Sequence, residues 1–413
     1  MCRRCAKRSR WKARRVGAGP GRVFAGRVLA AAVSGVLVAC GPAVDPDGGG
    51  EASLPTWTVD TAFALDLEGG EAGFGRIAGV AVLGNGAIAV GDAHHRHVLI
   101  YPSGDQAPPG AAPPPTPVGR RGEGPGEFES IDALWPVGRD SVAVWDGRLL
   151  RYTVVAVDGG VGRSVTLRPT GERSRPTPLG FGPGGRLVAV NDPRGLLEDE
   201  SYRPTLELLT FDADGRPSSP TATFPGPEMW NWVWEMGVTP SLVPFGRPTV
   251  FTLRGSDVLV GTNDEYSIER FSLDGITSRH VELERSPREL TGERIEAYRA
   301  AERERALSGS SPKGNDDVFA VMADEAPYPE TLPHYDRLLV DGAGNLWVRD
   351  YVVDEDAPST WIVFDRDGAP RARAELPAGF TPAVLDSGRV IGVWRDVFDV
   401  ETVRVYRLET SAT

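Results

Sequence analysis

From Trp57 onward, apolar and polar residues alternate in short runs broken by Gly, Asn and Asp. That period-two pattern is the mark of half-buried strands joined by tight turns. One theme comes six times: an apolar strand, a turn, a second strand ending in Asp, a third strand, another turn and a fourth strand. The first two strands of the copies span 77–92, 131–146, 178–192, 248–264, 335–350 and 380–396. Turns such as Gly84-Asn85-Gly86 and Asp386-Ser387-Gly388 supply residues that accept positive φ. HVLIY, LLRYTVV, LELLTF, SIERFSL, TWIVF and TVRVYRL follow as third strands, and SVTLRP, TATFPG, HVELE and RAELP as fourth strands. The last copy has no fourth strand before Thr413, whereas WTVDTAFALDL (Trp57–Leu67) has that character. Four-stranded units repeating at about 40–50 residues predict an all-β fold. The expected form is a six-bladed β-propeller of four-stranded antiparallel blades, closed by the N-terminal strand. A β-sandwich would show fewer, non-repeating strands, and a β-helix a much shorter period.

With strands lettered A to D outward from the axis, A–B and C–D loops lie on one face of the disc, and B–C and D–A loops on the other. The long insertions at 193–204, 226–247, 284–334 and 351–359 are all read as B–C or D–A loops. That face is therefore the expected binding face. Ser286-Pro287-Arg288-Glu289 reads as a capping box opening a helix that runs to about Leu307, with Glu296/Arg299 and Glu302/Arg305 paired on its surface. Asn315-Asp316-Asp317 reads as the cap of a second helix. The result is a helical insertion at about 284–334, between blades 4 and 5, serving either as a lid over the channel or as packed decoration.

The N-terminal region changes the picture. Residues 1–39 carry ten bases and no acid, and Val28–Ala39 is apolar or small throughout. Twelve residues make a helix of about 18 Å, too short for a hydrocarbon core of about 30 Å. This is the pattern of a secretory signal. Leu37-Val38-Ala39-Cys40 resembles the bacterial lipobox, which implies diacylglycerol on Cys40 and cleavage before it; an ordinary signal peptide is the alternative. The expected organisation is a lipoprotein signal at 1–39, a flexible tether at 40–56 and a propeller at 57–410. The protein would be extracytoplasmic and lipid-anchored in the cell envelope, with Gly41 favouring the outer membrane. Beyond the leader, 35 bases face 57 acids, so nucleic acid is not an expected partner. The cysteines are Cys2, Cys5 and Cys40, which leaves the folded part without a disulfide or a thiolate metal site.

Gly119-Arg120-Arg121-Gly122-Glu123-Gly124-Pro125-Gly126-Glu127-Phe128 resembles the GxxGxGPGEF motif of NHL-type repeats, and Gly91–Asp105 resembles their second turn and third strand. The pattern as a whole is similar to lipobox-bearing six-bladed, TolB-like propeller proteins of bacteria. Such families share a fold rather than one activity.

Candidate chemistry comes in three groups. Asp92, Asp146, Asp192, Asp350 and Asp396 close the second strand at one register, and Asp264 follows Thr262 in the fourth copy. A carboxylate ring at the channel mouth would hold Ca²⁺ or another divalent cation, or attract a cationic ligand. Alternatively, each Asp accepts N–H bonds in its own turn. Trp230, Trp232 and Trp234 share one face of an extended segment, as a platform for a ligand or as a local core. His94, His95 and His97 cluster in a turn; His95 and His97 share a strand face from which neutral imidazoles can ligate Zn²⁺, but the turn location without a spaced third ligand argues against a metal site, and His334 is the distant histidine placed to approach the channel. No nucleophile elbow, phosphate loop or HExxH is present. Two functions stand open: a lipid-tethered binding or scaffolding propeller that engages an envelope protein or small ligand through the loop-rich face, and a metal-dependent hydrolase or lyase of the lactonase kind with a site in the axial channel. Beyond a divalent cation, no cofactor is expected.

Overall fold

The computed structural model describes residues 54–70, 73–103, 114–169, 171, 174–192, 200–234, 237–307, 316–354 and 357–410. Residues 1–53, and with them Cys40 and the signal, lie outside the described residues. Among the described residues strands dominate, and there are two α-helices, α1 (Gly292–Leu307) and α2 (Asp316–Glu325).

Consecutive strands gather into antiparallel groups of four. The first holds Ile77–Val82, Ile88–Asp92, His97–Tyr101 and Thr116–Val118; the second Ala133–Val137, Ser141–Asp146, Arg151–Ala156 and Val161–Thr166. The third holds Arg175–Phe181, Leu187–Asp192, Thr205–Phe211 and Ala222–Pro225; the fourth Val250–Arg254, Asp257–Gly261, Ser267–Ser272 and Thr277–Glu282. The fifth holds Tyr335–Val340, Leu346–Asp350, Ser359–Phe364 and Pro370–Leu376. The last combines Phe380–Asp386, Arg389–Arg395 and Glu401–Glu409 with Thr56–Leu67. The opening strands of successive sheets touch one another in order, and Phe380–Asp386 returns to Ile77–Val82. This is the arrangement of a β-propeller.

Burial explains the pattern. The second strands are apolar on both faces because each sheet is covered by two neighbours: every residue of Ile88–Asp92 is buried. Hydrophobic clusters bridge adjacent sheets. Val188 and Leu208 meet Val258 and Phe271, while Trp347 and Trp361 meet Phe380 and Val390. Strand Thr56–Leu67 pairs with Glu401–Glu409 from Thr58↔Glu409 to Leu67↔Val403, with a bulge between Asp60 and Ala64. It also touches the fifth sheet through the parallel pair Trp57↔Ala374.

Two expectations need correction. The first helix starts at Gly292, not at the Ser286 box. Arg288–Glu289 instead pairs with Thr331–Leu332, and the Thr291 hydroxyl accepts from Arg294 N–H at 3.4 Å as the cap. Leu290 is buried there, so tertiary packing sets the helix start. Nor do all long connections lie on one face. Residues 102–115 join His97–Tyr101 to Thr116–Val118, so this long connection is a C–D one rather than a B–C or D–A one. The insertion at 226–247 is itself a hairpin, Met229–Trp234 against Gly237–Leu242.

Candidate functional site

The B–C turn of the first sheet holds the densest chemistry. Asp92 ends its strand fully buried. One carboxylate oxygen accepts the backbone N–H groups of His94 (2.9 Å) and His95 (3.0 Å). The other accepts Gly75 N–H at 2.9 Å and lies 2.8 Å from His95 Nδ1. Burial alone would raise this carboxyl, but the His95 side chain and the backbone N–H groups of His95 and Gly75 outweigh it and hold Asp92 below its ordinary range. Arg96 closes the turn with φ 58°, and His97 then pairs with Asp92 across the ladder. The His95 and His97 rings stack with centroids 5.5 Å apart and planes at 25°. Gly75 has to be glycine, since a Cβ there would lie 2.5 Å from His94 Cβ. One ligand atom each from Asp92, His95 and His97 lies within 4.8 Å of the others. His97 Nε2 is buried with no hydrogen-bond partner among the described residues, and burial lowers the pKa of this ring, so the neutral, ligating form prevails near neutrality.

The remaining aspartates spend their oxygens on local partners. Asp146 is also fully buried and repeats the Asp92 scheme. It accepts Arg148 N–H and Leu149 N–H on one oxygen and Glu129 N–H on the other, with Ser130 Oγ–H donating at 3.0 Å. In the third sheet the corresponding partner is buried Asn191, bonded to Ser174; Asp192 follows half-buried. Asp264 pairs with Arg203 (3.0 Å) and Arg247 (2.5 Å), and Asp350 with Arg285 (2.6 Å). Asp396 accepts Phe398 N–H and Val400 N–H in its own turn. The carboxylates therefore serve turns and ion pairs.

Trp230 and Trp232 are buried. They pack with Ala326 against Val318, Met322 and Tyr328, so the indoles join the hairpin to α2 as a local core. Trp232 Nε1–H donates to Glu325 at 2.7 Å, and Trp234 stacks on Trp232 at 5.3 Å and 8°. His334 lies against Tyr266, with ring centroids 5.8 Å apart. Its pKa is lowered by burial and by Arg285 and Arg288, and its backbone N–H is bound by Asn263. Sequence reasoning singled out Asp92 and the histidines separately and missed that they meet. The D-x-x-H-x-H spacing of residues 92–97 is the signal that joins them.

No family model matches the chain, and no curated protein matches it. Among solved structures, a member of the DUF4221 family from Bacteroides vulgatus overlaps with a TM-score of 0.50 at 10% identity, covering 86% of this chain and 99% of that one. A gluconolactonase from Xanthomonas campestris gives 0.42 at 14% identity, covering 90% and 99%. A calcium-binding protein, regucalcin, from Agrobacterium tumefaciens gives 0.40 at 12% identity, covering 86% and 96%. The first likeness is one of fold alone.

Proposed function

We propose that this chain is a six-bladed propeller spanning residues 57–410, with a helical insertion between blades 4 and 5, and that it engages a protein partner through its B–C and D–A loop face. In this reading residues 1–39 are removed, Cys40 carries lipid, and 40–56 tether the propeller to the cell envelope, at the outer membrane. The observation that carries the binding role is the placement of exposed apolar side chains. Val397 and Phe398 stand 93% and 83% exposed at the B–C turn of the last sheet, and Val233, Val238 and Leu242 line the open face of the Trp hairpin. On the opposite side only Val161 and Ile276 are large, apolar and exposed among the described residues. Water disfavours apolar tips gathered on one side, and a partner surface relieves that cost. The tether supports the same reading. Strand Thr56–Leu67, which the tether would enter, begins beside Glu409, at the end of its sheet opposite the B–C turn.

Photocrosslinkers placed at Phe398 and at Ser387, on opposite faces, test this in intact cells. A discrete adduct from 398 and none from 387 is expected; equal labelling from both, or none from 398, removes the proposal. The lipid anchor is tested separately, since Cys40→Ser should move the protein from the membrane fraction to the soluble one.

A metal-dependent hydrolase or lyase is the second reading, favoured by one observation, the Asp92/His95/His97 group. It requires that His95→Ala abolish turnover of a lactone while Val397→Asp/Phe398→Asp leaves turnover unchanged.

A further inference from the structure

We infer that Asp92, His95 and His97 form a binding site for a divalent transition ion of the Zn²⁺ class, held by two imidazole nitrogens and one carboxylate oxygen. This inference stands apart from the protein-binding role.

The B–C turns of the first and second sheets are the same device: a fully buried Asp, two N–H groups from its own turn on one oxygen, and an N–H seventeen residues back on the other. Both turns close on a residue with positive φ, Arg96 at 58° and Leu150 at 49°. In the second sheet the positions three and five after the Asp are Leu149 and Arg151; in the first they are His95 and His97. The scaffold therefore does not require imidazoles, and a structural role for Asp92 leaves the two rings unexplained.

A second observation points to a ligand. His97 Nε2 is buried without a partner among the described residues, whereas polar atoms out of reach of water are almost always bonded. The donors are also held in place. Backbone N–H groups orient Asp92, ring stacking orients His95 against His97, and the three ligand atoms already lie within 4.8 Å. Zn²⁺ needs donors at about 2.0–2.2 Å, so small shifts of the two rings toward Asp92 close the set around the ion, and the 34% exposure of the His95 side chain leaves the fourth position open to water. Two nitrogen donors select borderline ions; Ca²⁺ and Mg²⁺ prefer oxygen shells and gain little here.

The test uses the full chain, stripped with chelator and alkylated so that Cys2, Cys5 and Cys40 bind no metal, and titrated calorimetrically with Zn²⁺. One equivalent is expected to bind, with His95→Gln weakening it at least tenfold. That amide can still donate to Asp92, so the turn is retained, and matching circular dichroism of the variant verifies this. Bound Co²⁺ should show visible d–d absorption in the wild type and lose it in His95→Gln. His94→Ala, outside the trio, should bind as the wild type does. The inference is overturned by wild-type Zn²⁺ binding equal to that of His95→Gln, by an equal loss in His94→Ala, or by Ca²⁺ displacing Zn²⁺ at equal concentration.

Discussion

At the residue scale, the repeated aspartates are structural anchors, and this makes a sharp prediction for Asp146. Its carboxylate satisfies three backbone N–H groups and a hydroxyl from a fully buried position. Asp146→Ala leaves those donors unmet and should cost about 2–4 kcal/mol in urea unfolding. Asp146→Asn should recover only part, since its Nδ2–H₂ would face Glu129 N–H or the turn donors. A second residue-level effect concerns pH. His280 is pushed below its ordinary value first by desolvation, then by Arg254 and Arg270, and Arg254 Nη1 lies 3.1 Å from its Nε2. A histidine with a depressed folded pKa stays neutral in the fold while the unfolded chain takes up a proton below about 6.5. Its contribution is therefore complete above that pH and is lost as pH falls toward the folded value. The urea midpoint should drop between pH 7 and 5, less steeply in His280→Gln, and an unchanged slope in the variant would assign the titration elsewhere. The shared register of Asp92 and Asp146 was legible because strand periodicity and turn chemistry coincide there, whereas in the third sheet Asn191 rather than Asp192 takes that place. The meeting of Asp92 with His95 and His97 was not, because it depends on the left-handed backbone at Arg96, which the sequence does not announce.

At the element scale, the Trp hairpin and the helical segment stabilise each other. Trp230 and Trp232 bury their rings against α2, Trp232 is tied to Glu325, and Arg303 reaches from α1 to Asp324 on α2 at 2.7 Å. The apolar surface of this group lies apart from the clusters between the sheets, so losing it should release the segment without opening the propeller. Truncating a buried Trp costs roughly 3–5 kcal/mol. In Trp232→Ala, trypsin should therefore cut rapidly at Arg299, Arg303 and Arg305, while the main thermal transition moves little. Loss of the main transition together with the cleavage would show that the segment belongs to the principal core. The strands and the existence of helices in this region were legible from periodicity and from the Glu296/Arg299 and Glu302/Arg305 pairs, both formed at 2.5–2.6 Å. The start of α1 was not: the Ser-Pro-Arg-Glu box is a local signal, and pairing of Arg288–Glu289 with Thr331–Leu332 overrides it.

At the scale of the whole molecule, the decisive contact joins the two ends of the folded chain. The character of Trp57–Leu67 was readable as a missing outer strand; what fastens it was not, since the fastening lies in side chains more than three hundred residues apart. Arg404 makes a bidentate pair with Asp66 at 2.6 and 2.8 Å and stacks over Trp394 at 4.0 Å, while Val59 and Leu67 are buried beneath. Its charge is stabilised chiefly by the hydrogen bond to Asp66, so the guanidinium stays protonated. Lysine has neither the fork nor the flat face, so Arg404→Lys should lose the bidentate geometry and the stacking together. Without the closing strand, Glu401–Glu409 becomes an open edge, and the packing of Leu67 with Val80 and Ile391 between the last and first sheets is lost. Deleting residues 54–67 should therefore destabilise every sheet, because each one draws its burial from two neighbours in a closed circuit. Unfolding of the wild type should be one cooperative transition by both fluorescence and far-ultraviolet circular dichroism. The deletion should unfold at lower urea and self-associate through the exposed edge, and Arg404→Lys should fall between the two. A deletion variant that keeps the wild-type midpoint and stays monomeric would mean the sheets are stable one by one, and that the strand from the N-terminal side contributes a cover to one edge and nothing to the ring.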